Sequence, residues 1–460
     1  MRRSPAFLGP LILSLAWALQ ASAADGDVHE SRLGNGLKVV VKEDHRAPIV
    51  TTQVWYRVGS SYEHGGLTGI SHVLEHMMFK GTAKVPPGEF SRIIAENGGS
   101  ENAFTSRDYT AYFQTLAADR LEVAMRLESD RMRHLRLLPE EFTKEVEVVK
   151  EERRMRTDDN PESLTYERFN ANAWLASPYR IPTIGWMSDL DRLQVADLKA
   201  WYRRWYAPDN ATLVVVGDVH PEAVFALARR YYGGFEAEAI PPDRATTEPP
   251  QKGIKRLVVK APAKEPYLLM GYKVPSLKTA PEPWEAYALE MASSILDGGS
   301  SARLQKELVR GRAIAASAGA DYSLYDRLPS LFLLEANPAK GRTVAEMEQA
   351  LRAQVRRLRE EPVAPADLAR IRNQVVAAKV FAQDSVFYQA MRIGMLESVG
   401  LGWRVGEEYV RRMDAVTPEQ IQAVARKYLT DDRLTVAVLE PLPFAGHAPR
   451  THRGAADVLR

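Results

Sequence analysis

His72 and His76 stand four residues apart with Glu75 between them, in the stretch Gly69-Ile-Ser-His-Val-Leu-Glu-His-Met-Met-Phe-Lys-Gly-Thr82. On a helix, residues at that spacing lie one above the other, so both imidazoles can converge on one ion with the carboxylate close beside them. Two neutral nitrogens suit zinc. A carboxylate that is not itself a ligand can take a proton from a water whose pKa the ion has lowered. That combination hydrolyses amides, and H-x-x-E-H is the reverse of the H-E-x-x-H metalloprotease signature. With nine histidines in the whole chain, a chance match is rare, on the order of one in a hundred. The flanking Ile70, Val73, Leu74, Met77 and Phe79 predict a helix buried on one side.

A catalytic zinc commonly takes three protein ligands and keeps a fourth position open, so two histidines need one more donor. The run from Glu140 to Met155 is helical in pattern and carries Glu145 and Glu152 seven residues apart. Seven residues are two turns, so both face one way. By composition alone, a solvated acid and base helix face is the favoured reading of this run.

These elements belong to a chain of 460 residues without cysteine, whose 61 basic and 59 acidic residues leave a net charge of +2. The length predicts at least two domains, stabilised by buried cores and not by disulfides. Near-neutral charge offers no basic surface for nucleic acid. The Arg-rich run from Arg352 to Arg359 reads as a solvated helix face. At the N-terminus, Met1-Arg2-Arg3, an apolar run from Ala6 to Leu19 and Ala21-Ser22-Ala23 have the three parts of a secretory signal peptide, with cleavage expected after Ala23. Pro10 interrupts the run, which is shorter than the ~20 residues of a spanning helix. No later segment reads as transmembrane. The expectation is an exported protein, periplasmic in a bacterium, with no membrane contact after cleavage.

The chain repeats itself. Asp197 to Val216 reads as a helix ending in aromatic residues, a polar turn and a buried strand, and Pro418 to Val438 does the same. Between these repeats, Ile240 to Gly253 is rich in proline and polar residues and reads as a linker. The expected domains are 24–240 and 254–442, with a linker at 241–253, a signal peptide at 1–23 and a disordered tail at 443–460. Each half opens with strands (36–42 and 50–58; 256–259 and 267–272), continues through helices and ends in a strand. That order predicts an α+β fold of two homologous halves, each a mostly antiparallel sheet covered by helices.

The metal motif, together with Val148-Val-Lys-Glu-Glu152-Arg-Arg-Met155 and Gly98-Gly-Ser-Glu-Asn-Ala-Phe-Thr-Ser-Arg-Asp-Tyr-Thr-Ala-Tyr112, resembles the pitrilysin and insulinase family of zinc metallopeptidases. The likeness is to its smaller bacterial, mitochondrial-processing-peptidase-like branch, and it runs through both halves, from about Glu30 to Leu439. It implies one Zn2+ per chain held by His72, His76 and Glu152, with Glu75 as the catalytic base. Glu145 matches a further family carboxylate, which supports the catalytic water or orients a ligand histidine. The segment around Asn102, Ala103 and Phe104 corresponds to an edge strand against which a peptide substrate lies as an added strand.

One departure stands out. Active relatives carry an Arg and, seven residues on, a Tyr in the second half, where this chain has Val309 and Ala316; Arg310 and Tyr322 sit at the wrong offsets. The resemblance then implies a metal-bearing subunit of a heterodimer, whose homologous partner supplies the pair, or a homodimer or self-sufficient chain of weaker activity. The function so implied is zinc-dependent endopeptidase action on peptides or unfolded polypeptides. A non-catalytic peptide-binding or scaffold subunit is the alternative, although it does not explain an intact H-x-x-E-H. A zinc-storage protein would show a His-rich tract, which His447 and His452 do not make.

Overall fold

A computed structural model describes residues 28–238, 240 and 246–444. The signal-peptide segment 1–23, residues 241–245 of the expected linker, and the tail from 445 onward, with His447 and His452, lie outside the described residues.

The first sheet contains β1 (Val28–Arg32), β2 (Lys38–Glu43), β3 (Ile49–Tyr56), β4 (Ser100–Thr105), β5 (Thr110–Ala117) and β6 (Ala211–Gly217), in the order β1-β2-β6-β3-β5-β4. The second contains β7 (Lys255–Pro262), β8 (Tyr267–Val274), β9 (Ala315–Tyr322), β10 (Ser330–Pro338) and β11 (Leu434–Leu442), in the order β7-β11-β8-β10-β9. Without β1 the two orders coincide strand for strand. Each sheet has one parallel pair, β2 with β6 and β7 with β11, and is otherwise antiparallel. This is the duplication expected from the repeated helix, turn and strand.

Every residue of β6 and of β8 is buried, as continuous apolar runs require when both faces of a sheet are covered. The outer cover comes from the opposite half. Val386, Ala390 and Ile393, on the helix Val386–Ser398 of the second half, pack on Val40, Trp55, Val214 and Val216 of the first sheet. Reciprocally, Phe169 and Ala173, on the helix Pro161–Ala173 of the first half, pack on Leu269, Leu331, Ala437 and Leu439 of the second. The spans 24–240 and 254–442 are therefore not separate packing units, because each lends a helix to the other's sheet. The described part of the linker is anchored too. The Glu248 carboxylate accepts from the amides of Leu175, Ala176 and Ser177 and from Lys273 Nζ at 2.6 Å.

Glycine permits the exchange at two mirrored places. A Cβ on Gly394 would overlap the indole of Trp55, and one on Gly271 would sit 2.6 Å from Cζ of Phe169. Gly394→Ala is expected to destabilise the chain by ~1–3 kcal/mol through overpacking, read from urea unfolding. No helix among the described residues is long and apolar enough to cross a membrane.

Candidate metal centre

The motif forms the helix Ile70–Met77, with Ile70, Val73, Leu74 and Met77 buried in the first core. Its first turn is capped from outside, with the Glu63 carboxylate accepting from the amides of Gly69 at 2.7 Å and Ser71 at 2.9 Å. A negative group suits a helix N-terminus, while burial raises the Glu63 pKa to about 7. Gly69, at φ +88, lies against Gly185, and a Cβ on either would collide with the other's segment.

The second helix, Pro139–Arg153, starts on a proline and brings Glu145 and Glu152 to the motif helix. Arg153, at its end, makes a two-pronged ion pair with Glu167 at 2.7 and 3.1 Å and donates to the Gly185 carbonyl at 2.7 Å. One buried cation thus joins the end of this helix to the glycine against which the motif helix begins.

The donors converge. His72 Nε2 is 3.7 Å and His76 Nε2 is 3.4 Å from Glu152 Oε2, and one ligand atom from each residue lies within 4.8 Å of the others. Nitrogen and oxygen donors at ~2.0–2.2 Å from a tetrahedral ion are about 3.3–3.6 Å apart. The donor set and its spacing therefore fit zinc. Glu152 Oε1 pairs with Arg156 Nη1 at 2.5 Å. Burial opposes the charge on Glu152, but His76, His72 and Arg156 outweigh it and its pKa is lowered.

The two imidazoles differ. Burial lowers the His72 pKa to about 4, and its Nδ1 has no hydrogen-bond partner among the described residues. Burial also opposes charge on His76, yet hydrogen bonds with Glu145 and Glu152 raise it to about 9. Glu145 Oε2 lies 3.2 Å from His76 Nδ1, and its other oxygen lies 2.6 Å from Lys80 Nζ. Of the two roles open to Glu145 in the sequence, the geometry matches the one that orients a histidine. Such a carboxylate commonly controls metal affinity by 10–100-fold. Glu145→Gln is accordingly expected to weaken zinc retention by about that factor, measured by chelator competition.

Glu75 stands apart from the three donors. Its Oε2 accepts from Thr105 Oγ1 at 2.6 Å, and burial raises its pKa. Thr105 is the last residue of β4, which is the edge of its sheet and pairs only with β5. Asn102 is exposed on this edge, and its own Oδ1 accepts from the Ala103 amide at 2.8 Å. Asn102, Ala103 and Phe104 all line the cavity that holds the metal donors. The half-buried Phe104 ring packs edge-on against Trp55 at 5.5 Å, beside the cluster covered by the second half's helix.

A cavity of about 1570 Å³ lies between the halves, lined by His72, Glu75, His76, Glu152 and β4 on one side and by Tyr267, Asp321, Asp326 and Glu335 on the other. Val309, Ala316, Arg310 and Tyr322 do not line it. Val309 packs against the second core, Ala316 borders a different cavity, Arg310 donates to the Ser300 carbonyl, and Tyr322 donates to the Pro275 carbonyl at 2.7 Å. A clamp joins the halves beside the cavity, at Asp108, which lines it. Arg327 donates to Asp108 at 3.1 Å and to Ser61 at 2.9 Å, fixing the β4–β5 turn to the second half. Neither this clamp nor the pair of Arg153 and Glu167 carries a local signal in the sequence, because the partners lie in different segments, whereas Glu63 lies only six and eight residues before the amides it caps.

The fold and the site define a two-half protein of the zinc-protease type. Residues 38–185 match the family described as Insulinase (Peptidase family M16), and residues 192–375 match the Peptidase M16 inactive domain. The chain belongs to the M16 family. It is 32% identical to the zinc protease PqqE of Helicobacter pylori over 423 residues, covering 90% of this chain and 93% of that protein. An uncharacterized zinc protease of Bacillus subtilis, YmxG, is 24% identical over 88% of this chain and 97% of its own. The crystal structure of a protease from Helicobacter pylori superposes with a TM-score of 0.86 at 30% identity, over 90% of this chain and all of that one (100%). The periplasmic protease PqqL from Escherichia coli shares the fold, with a TM-score of 0.74 at 16% identity, but is matched over only 49% of its length.

Proposed function

We propose that this chain is a zinc-dependent endopeptidase acting on peptides or unfolded polypeptides. The observation that carries this reading is the convergence of His72, His76 and Glu152, with Glu75 beside them, on the cavity that the edge strand β4 also lines. A zinc ion bound there supplies Lewis acidity, acidifying water and polarising a peptide carbonyl. Glu75 takes the proton from the attacking water and returns it to the departing amine nitrogen. Thr105, as donor to one oxygen of Glu75, leaves the other for that exchange. Glu145 is a positioning residue acting through His76. The substrate lies along β4, bonded to main-chain groups at Asn102 and Ala103, which requires the Asn102 side chain to release the Ala103 amide.

Among the described residues of the second half no Arg lines the cavity, and this favours a metal-bearing subunit whose homologous partner supplies an Arg and Tyr pair. Removing a preorganised donor to a transition-state oxyanion commonly costs on the order of a hundredfold or more in rate. The same absence favours the second reading, a subunit that binds peptides without cleaving them. The N-terminal sequence supports export to a periplasm after cleavage at Ala23, to be checked by the mass of the mature chain.

The test uses the purified chain, alone and mixed with a homologous subunit encoded nearby, on an unstructured peptide with and without a zinc chelator. Chelator-sensitive cleavage in the mixture only is the expected result. Cleavage by the chain alone would discard the partner, and binding without cleavage under either condition would establish the second reading.

A further inference from the structure

A second group of metal-type donors lies at the far edge of the first sheet's parallel pair. β2 and β6 run side by side with Glu43 opposite Gly217, so the segments leaving them emerge together. Asp44 donates its amide to the Gly217 carbonyl at 2.8 Å and Asp218 donates its own to the Ile49 carbonyl at 2.9 Å, which holds both exits in place. This brings Glu43, His45 and His220 together, with one ligand atom from each within 4.8 Å of the others. His45 Nε2 is 3.4 Å and His220 Nδ1 is 3.5 Å from Glu43 Oε1. His29 Nε2 lies 3.7 Å from the second oxygen of Glu43.

A further observation bears on the role of the group. The other ring nitrogen of His45, Nδ1, is 2.6 Å from Asp218 Oδ1. A carboxylate bonded to the far nitrogen of a histidine fixes the tautomer, leaving the near nitrogen as a lone pair and raising its basicity, which is the usual surrounding of a metal-bound imidazole. In that tautomer the His45 Nε2 lone pair faces the Glu43 carboxylate, and two acceptors at that distance repel unless a cation or proton lies between them. Two imidazoles and one carboxylate favour zinc, cobalt, nickel or copper(II); calcium and magnesium, which require a shell of oxygens, are disfavoured.

We propose that Glu43, His45 and His220 form a second, peripheral site for a zinc-like divalent cation, with Asp218 orienting His45 and solvent completing the coordination. The site is independent of the cavity. It adjoins the contact by which Arg46 pairs with Asp384 at 3.2 Å and Gln389 donates to Asp44 at 2.9 Å, so an ion there stiffens a loop that bears on the second half.

The test is equilibrium dialysis of the full chain against zinc and against cobalt(II), the latter read also by its visible absorption. A His72→Ala/His76→Ala chain is expected to retain one ion, and adding His45→Ala/His220→Ala to bring it to none. Asp218→Asn should weaken the retained ion by ~10–100-fold. His45 and His220 are 50% and 83% exposed, so their replacement leaves the fold intact, as circular dichroism would verify. If the cavity variant does not fold, the wild-type chain still reports, since it should bind two ions and the His45→Ala/His220→Ala chain one, with peptide cleavage unchanged. No ion on the cavity variant, or an ion that survives loss of His45 and His220, overturns the proposal without touching the proposed peptidase function. Failure of the cavity to bind zinc would likewise leave this site standing.

Discussion

Replacing Glu75 by glutamine is expected to lower peptide turnover by on the order of 10²–10⁴-fold while zinc stays bound at one per cavity. Glutamine keeps the shape and still accepts a hydrogen bond from Thr105 Oγ1, which lies 2.6 Å from the carboxylate it replaces. It cannot take up a proton. None of the three converging donors belongs to Glu75, so the site should retain its ion, as metal analysis would show. The contrast with His76→Ala is the discriminating feature, because that change should remove metal and turnover together. A Glu75→Gln chain that cleaves at the original rate would sink the assignment, as would one that has lost its metal.

Arg153→Met is expected to be the most damaging single change away from the cavity. The Arg153 and Glu167 side chains are 4% and 5% exposed, and removing the cation leaves a buried carboxylate without its partner. Breaking such a pair typically costs ~3–5 kcal/mol. The loss also releases the Gly185 carbonyl, against whose segment Gly69 and the motif helix are seated. Denaturant unfolding should therefore show lower stability, and chelator competition weaker zinc retention. Replacing both partners by apolar residues of similar volume, Arg153→Met/Glu167→Leu, should recover most of the stability, because an uncompensated buried charge is then no longer present. A double variant no more stable than Arg153→Met alone would show that the charge pair is not the source of the effect.

The motif helix was readable because its signal is local. Histidines at i and i+4, a carboxylate on the adjoining face and apolar residues on the other specify one element, and the helix Ile70–Met77 forms as that pattern requires. The fold class was readable for the same reason, since a repeated helix, turn and buried strand at Asp197–Val216 and Pro418–Val438 reports duplication without any contact being known. Glu145 was less legible. Spacing placed it two turns from Glu152 on one face, but whether it meets water or a histidine depends on which helix packs there, and it meets His76 Nδ1. Phe104 was legible as a position on the edge strand lining the cavity, but its ring contact with Trp55 depends on how the sheet's neighbouring strands pack.

What the sequence by itself determined is the chemistry available, namely the histidine pair, Glu75, the acidic helix, the amphipathic faces and the doubled architecture, all properties of residue type and short-range period. Only the tertiary structure decided which distant groups meet. Glu152 reaches the histidines because Gly69 and Gly185 let two segments touch and Arg153 locks the second helix beside them. The halves interlock because Gly394 and Gly271 admit the aromatic side chains of Trp55 and Phe169. The Glu43, His45 and His220 group exists because parallel pairing brings together the ends of β2 and β6. Such meetings depend on packing between segments remote in the chain, and residue spacing along one segment carries no record of them.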